Sequence, residues 1–335
     1  MFKKSGYHLF FKKLLVLIIV FALFTIFFYG CAPGKQRISI ATGGTGGTYY
    51  PYGGAMASII NKYVSGLEAS AEVTGASVEN VRLIESNESQ LALVMDDVVY
   101  HALHAQGAFD HEIELRTLLE MYPHFFHIVV HEGSQIHSIN DLAGKKVSVG
   151  APGSGTETMS NQVLEALGLT YDKFNVFRLS FTENTEGLRD RVIDAGIWSV
   201  GPPTASIMDL ATTHDIRILN FTEEELAAVQ SKYPYYLTMT LEGGTYQGVE
   251  EDLTAPSVWN SVVVGKNMPE EQAYEIVKAL FEHRDELEQV YVGASWTTPE
   301  NTIDYAIAPL HPGAIRYFKE IGLEVPDRLI PPEIK

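Results

Sequence analysis

Arg37-Ile38-Ser39-Ile40-Ala41-Thr42-Gly43-Gly44-Thr45-Gly46-Gly47-Thr48-Tyr49-Tyr50 decides how the rest of this 335-residue chain is read. Apolar residues up to Thr42 predict a short β-strand, and a helical pattern from about Tyr50 places Ile59, Ile60 and Val64 on one face. A glycine turn joins the two. The same device recurs about 110 residues later, where a strand over 146–150 runs into Ala151-Pro152-Gly153-Ser154-Gly155-Thr156 and a helix carrying Met159, Val163, Leu164 and Leu167. Between them, strands over 69–74 and 91–95 alternate with helices starting near Val78 and Asp97. Such alternation implies parallel pairing. Residues 125–131 read as a long strand leaving this layer. Two glycine turns feeding two helices therefore predict two similar α/β lobes facing each other across a cleft.

A glycine turn between strand and helix exposes free backbone N–H groups at the positive end of the helix dipole, which suits an anion. The same glycines also suit a chain that merely reverses. The first turn is no dinucleotide fingerprint, because Tyr49 stands where the third glycine is required. Gly144-Lys145 precedes its strand and so is no phosphate-binding loop, and Pro152 occupies the place where a nucleophile elbow around Ser154 needs glycine. Tyr49, Tyr50 and Tyr52 could cover a ligand or pack in the core. Asp96 and Asp97 end an apolar strand, where they would receive an amino group or cap the next helix. His101 and His104, and His124, His127 and His131, lack zinc-ligand spacing, so neither a metal nor a cofactor is expected.

Composition narrows the field. With 46% hydrophobic and 20% charged residues the chain should fold, and its net charge of −18 with no basic stripe argues against nucleic acid. The single cysteine excludes an internal disulfide. Lys3, Lys4, Lys12 and Lys13 precede an apolar run over 14–29, so residues 1–30 read as an export signal. That run is shorter than the about 20 residues of a comfortable membrane span, although a retained anchor is the other reading. Cys31 follows it directly, and a lipid there would tether an exported domain to a membrane face.

Taken in order, Ala41-Thr42-Gly43-Gly44-Thr45-Gly46-Gly47-Thr48-Tyr49-Tyr50-Pro51, Thr74-Gly75-Ala76-Ser77-Val78-Glu79-Asn80 and the stretch from Asp141 to Glu157 resemble the TAXI proteins, the extracytoplasmic solute receptors of TRAP transporters. The resemblance continues through Ile193-Asp194-Ala195, Gly201-Pro202-Pro203-Thr204 and Pro309 to Tyr317. It implies a two-lobed periplasmic binding protein fold of the type II kind, α/β, with two parallel-rich sheets and flanking helices around a ligand cleft. Residues 37–127 with 226–335 would form lobe I, and 128–225 lobe II. The protein would be a non-enzymatic, monomeric receptor, periplasmic or lipid-tethered, that passes glutamate, glutamine or a C4–C5 dicarboxylate such as 2-oxoglutarate to TRAP membrane subunits.

Carried over position by position, the ligand-facing residues would be Gly44, Thr45, Tyr49, Ser77, Gly153, Ser154, Gly155 and Thr156, with Pro202 and Pro203 opposite, and Asp97 beside the strand end. The family usually has Gln-Ser-Asp where this chain has Met95-Asp96-Asp97, and Gly-Gly-Ser where Gly75-Ala76-Ser77 stands. The extra carboxylate would repel a simple dianion and favour a ligand with an amino group. An exported α/β enzyme acting on a small carboxylate, or a ligand sensor without transport, are the alternatives.

Overall fold

The computed structural model describes residues 35–334, so residues 1–30, read as an export signal, and Cys31 lie outside the described residues. Its strands are β1 (Gln36–Ala41), β2 (Leu67–Glu72), β3 (Leu91–Met95), β4 (Leu115–Glu120), β5 (His124–His131), β6 (Lys146–Ser148), β7 (Asn175–Phe177), β8 (Ala195–Val200), β9 (Ile216–Ile218), β10 (Leu237–Leu241), β11 (Leu253–Val258) and β12 (Asn260–Gly265). The helices are α1 (Tyr49–Tyr63), α2 (Ser77–Glu85), α3 (Asp96–Leu103), α4 (Gly155–Ala166), α5 (Phe181–Arg189), α6 (Ala205–Thr213), α7 (Glu223–Lys232), α8 (Glu270–Glu282), α9 (Arg284–Glu288), α10 (Pro299–Tyr305) and α11 (Pro312–Glu320). Among the described residues no helix is long and apolar enough to cross a membrane.

Two sheets organise the chain. The first has the order β2-β1-β3-β12-β4, and the second β10-β11-β5-β8-β6-β7 with β9 added beside β5. The βα units give the parallel pairs, β1 with β3 and β6 with both β7 and β8. Long strands running back between the layers give antiparallel ones: β12 lies against β3 and β4, and β5 against β8, β9 and β11. Both sheets are therefore mixed, with parallel pairing confined to the segments that alternate with helices.

The chain changes sheets twice, between Glu120 and His124 and again at Trp259. The two crossings adjoin, because Met121 N–H donates to Asn260 O at 2.7 Å and Asn260 Nδ2 donates to Tyr122 O at 2.8 Å. β10 and β11 pair within the second sheet, with Ser257 opposite Phe125. Apolar alternation in a strand such as β10 marks a strand and carries no record of which sheet receives it.

Two buried cores follow. Ile38, Ile40, Leu118 and Leu119 of the first sheet pack against Met56 and Ile59 of α1 and against Ile276, Leu280, Ile315 and Phe318 from α8 and α11. Around the second sheet, Phe126, Ile128, Val147 and Ile197 pack with Met159, Val163 and Leu164 of α4. Local sequence sets the helix starts on the second sheet: Ser154 Oγ accepts from Glu157 N–H, and Ser180 with Glu183 and Thr222 with Glu225 form reciprocal capping boxes.

Candidate functional site

The glycine turns of both sheets meet at one cavity of about 90 Å3. Four helix N-termini border it: Thr48 and Tyr49 at α1, Ala76 and Ser77 at α2, Ser154 to Thr156 at α4, and Ser180 and Phe181 at α5. The first two helices flank the first sheet and the other two the second, so the cavity lies between the layers. A serine hydroxyl caps α4 and α5, whereas α1 and α2 have no side-chain cap, which leaves first-turn N–H groups there for another acceptor. Converging N-termini sum their dipoles toward the cavity.

Among the described residues no Asp, Glu, Lys or Arg lines this space. His124, at the start of β5 just past the first crossing, is buried on its wall, and neither ring nitrogen has a hydrogen-bond partner. Burial pushes its pKa down to about 3, so the imidazole is neutral. Its ring lies 5.1 Å from that of Tyr49 and 5.7 Å from that of Tyr122. Thr48 Oγ1, also buried on the wall, has no partner either. The positive character of the cavity thus comes from backbone dipoles alone.

Ala76 carries the one irregularity of the backbone here. Its φ of 75° and ψ of −150° fall in a region essentially reserved for glycine. The next residue, Ser77, is wholly buried and its Oγ accepts from Met95 N–H at 3.1 Å, tying α2 to the end of β3. The strained turn therefore holds an uncapped helix end in place.

Of the residues expected from the sequence, Gly44, Tyr49, Ser77, Ser154, Gly155 and Thr156 line the cavity together. Tyr49 contributes to the wall, but its hydroxyl donates to Asn260 Oδ1 at the second crossing. Gly153 lies instead in an open groove of about 1070 Å3 that adjoins the cavity at Ser154 and is lined by Arg82, Tyr100, His101, Gln162 and Tyr235. Thr45 is exposed outside the cavity, and Pro202 and Pro203 stand off it, with Pro202 O accepting from Tyr291 Oη at 3.0 Å. Asp97 is fully buried elsewhere: Tyr236 Oη lies 2.8 Å from its Oδ2, and its Oδ1 accepts from Val98 N–H. Asp96 is likewise occupied, sharing Ser261 Oγ with Glu120. Neither aspartate is on the cavity wall.

Sequence reading missed Thr48, His124, Ser180, Phe181 and Ser199. Ser180 and Phe181 carried a usable signal, since Ser180-x-x-Glu183 after a short strand repeats the strand, cap and helix device of the other turns. His124 carried none, because its place follows from the crossing between sheets.

Contacts across the cleft hold the two halves together. Glu79 N–H donates to Gly153 O at 3.4 Å, Thr204 Oγ1 to Gly46 O at 3.2 Å, and Gln162 Nε2 lies 2.8 Å from His101 Nε2. These bonds link residues on either side of the cavity.

Two sheets of this topology, joined by adjoining crossings and closed over a cavity of helix N-termini, define the fold of the periplasmic solute-binding proteins. The chain belongs to the NMT1-like family, whose model matches residues 40–322. Among solved structures it is similar to a protein from Bordetella bronchiseptica RB50, at 18% identity and a TM-score of 0.50, over 88% of this chain and 91% of that one. It is also similar to the arginine-, lysine-, histidine-binding protein ArtJ of Geobacillus stearothermophilus (11% identity, 76% and 94% covered, TM-score 0.49). A third is the alkanesulfonate-binding protein SsuA of Xanthomonas axonopodis pv. citri (14%, 89% and 97%, TM-score 0.46).

Proposed function

We propose that the protein is an extracytoplasmic receptor that captures a small organic anion between its two halves and delivers it to the membrane subunits of a TRAP transporter. One observation carries the reading: four helix N-termini, two from each half, converge on a cavity without a charged side chain. An anion bridging them gains both pairs of dipoles only in the closed form, so its binding shifts the hinge equilibrium toward closure. The cavity volume admits a few water-sized groups, which suits a solute of C4–C5 dicarboxylate size or smaller. The TAXI-like motifs favour TRAP over other permeases. Export by residues 1–30 and a lipid on Cys31 complete the proposal.

An enzyme built on Ser154 is the weaker reading, because Ser154 Oγ donates to Ala151 O at 2.7 Å and accepts from Glu157 N–H at 3.1 Å, the duty of a helix cap. The test is a thermal-shift and calorimetry screen of residues 32–335 against small carboxylates, sulfonates and phosphate. A stabilising anion recovered chemically unchanged supports a receptor; turnover, or indifference to every anion, refutes it. Uptake of that anion that survives ATP depletion but stops when ion gradients collapse would assign the TRAP system, and Cys31→Ser should release the chain from membranes.

A further inference from the structure

We infer that this cavity selects an anion lacking an ammonium group, and that His124 is the side chain that hydrogen-bonds the ligand's remaining polar substituent. The inference rests on the anion-receptor reading and narrows it. An α-ammonium brings a full positive charge and three N–H donors, and a receptor that takes it into a buried site must supply a counter-charge. The carboxylates close in sequence to the cavity are engaged elsewhere: Asp97 faces Tyr236, Asp96 shares Ser261 with Glu120, Glu79 accepts from Gly75 N–H, Glu157 pairs with Arg178, and Glu183 caps Ser180. The field of four helix N-termini repels a cation further.

His124 adds the second observation. It is 3% exposed, lies on the cavity wall, and leaves both Nδ1 and Nε2 without a partner. Buried polar groups in folded proteins are almost always satisfied, so two orphaned nitrogens beside an empty space point to a ligand atom as the missing partner. The rings of Tyr49 and Tyr122 flank the imidazole. A neutral imidazole offers one N–H donor and one acceptor nitrogen, which matches a carbonyl or a hydroxyl next to a carboxylate. Against an ammonium it could satisfy one N–H and leave two N–H groups and the charge uncompensated. The ligand class is therefore a 2-oxo or 2-hydroxy acid in preference to the corresponding 2-amino acid.

Isothermal titration of residues 32–335 with matched pairs tests this: pyruvate and lactate against alanine, and 2-oxoglutarate and 2-hydroxyglutarate against glutamate. The oxo or hydroxy member of a binding pair should bind at least about tenfold more tightly than the amino member. An amino acid binding equally or more tightly overturns the inference while leaving the receptor reading intact. Silence of all these anions, and of sulfonates and phosphate, would instead overturn the receptor reading itself. His124→Leu should weaken the preferred anion by about tenfold or more, and His124→Gln, which keeps a donor and an acceptor, should recover most of that loss. Because the ring has no well-formed hydrogen bond within the protein, only the Ser199 backbone beside it, the ligand-free melting temperature of His124→Leu should fall far less than the affinity. Full affinity in His124→Leu, or equal loss in both variants, removes His124 from recognition.

Discussion

Tyr236 Oη stands 2.8 Å from Asp97 Oδ2 across the cleft and also meets Gln162 Oε1 on its own side, so a single phenol proton faces two acceptor oxygens. A neutral Asp97 satisfies the set, its carboxyl proton going to Tyr236 and the phenol proton to Gln162. Tyr236→Phe removes the bridge and leaves the fully buried Asp97 with its local bond to Val98 alone. The variant should lose about 1–3 kcal/mol in denaturant unfolding. Since the bridge joins α3 to the second half, its small-angle scattering should also show a larger radius of gyration without ligand. Wild-type stability and dimensions together would mean that the contact holds nothing.

The same pair sets a pH dependence. Burial raises the pKa of Asp97 to about 7, partly offset by the bond from Tyr236, and Asp96 is raised to about 7 in the same way. Between the unfolded value near 3.8 and about 7 the folded chain holds protons that the unfolded chain has released, so these groups lower stability as pH rises through that window. His124 and His127, both pushed down to about 3 by burial, act oppositely: they cost stability as pH falls below about 6.5. Above pH 6.5 the buried carboxylates remain, among them Glu120, whose pKa burial also raises. Asp97→Asn keeps an oxygen for Val98 and cannot ionise, so its melting temperature should gain on the wild type progressively from pH 6 to pH 8. A difference that stays constant over that range would show that Asp97 does not titrate there.

These carboxylates also mark where reading the sequence stops. Asp96 and Asp97 stand at the strand end, where open α/β sheets bind ligands, and an amino-group contact is a natural expectation. Ser261 and Tyr236, which claim them, lie far along the chain and reach them only through the β12 crossing and the approach of the second half. His124 is hidden for the same reason. The glycine turns, by contrast, are local devices, and Gly44, Tyr49, Ser77 and Ser154 to Thr156 could be read as one site because each sits at its own strand-to-helix turn. β10 and β11 look alike whichever sheet they join, so their place in the second sheet is not legible from the sequence.

Ala76 offers a stability test independent of the ligand. A Cβ at φ 75° and ψ −150° costs of order 1–3 kcal/mol, while the extra freedom of an unfolded glycine returns roughly 0.5–1 kcal/mol of that. Ala76→Gly should therefore raise the melting temperature by about 2–4 °C. Ser77 keeps its bond from Met95, so the order of ligand preference should not change. A lower melting temperature would mean that the turn is not strained as described.

Gly155 tests whether the cavity works by closure. A Cβ there would lie 2.4 Å from Met95 Sδ and 2.8 Å from Ser77 Oγ, and both belong to the opposite side of the cleft. Ser77 is pinned by its bond from Met95 N–H, which leaves little room for the clash to relax inside the closed form. Separating the halves relieves it at once. Alanine suits a first helical turn, so Gly155→Ala should still fold cooperatively, losing no more than about 1–3 kcal/mol, the cross-cleft bonding that opening gives up. Its anion affinity should nevertheless fall by about tenfold or more, equivalent to about 1.4 kcal/mol, because the open form presents each pair of helix N-termini without the other. Scattering with saturating anion should show a molecule more extended than the wild type. Wild-type affinity in Gly155→Ala would place the ligand outside this cavity and remove closure from the mechanism.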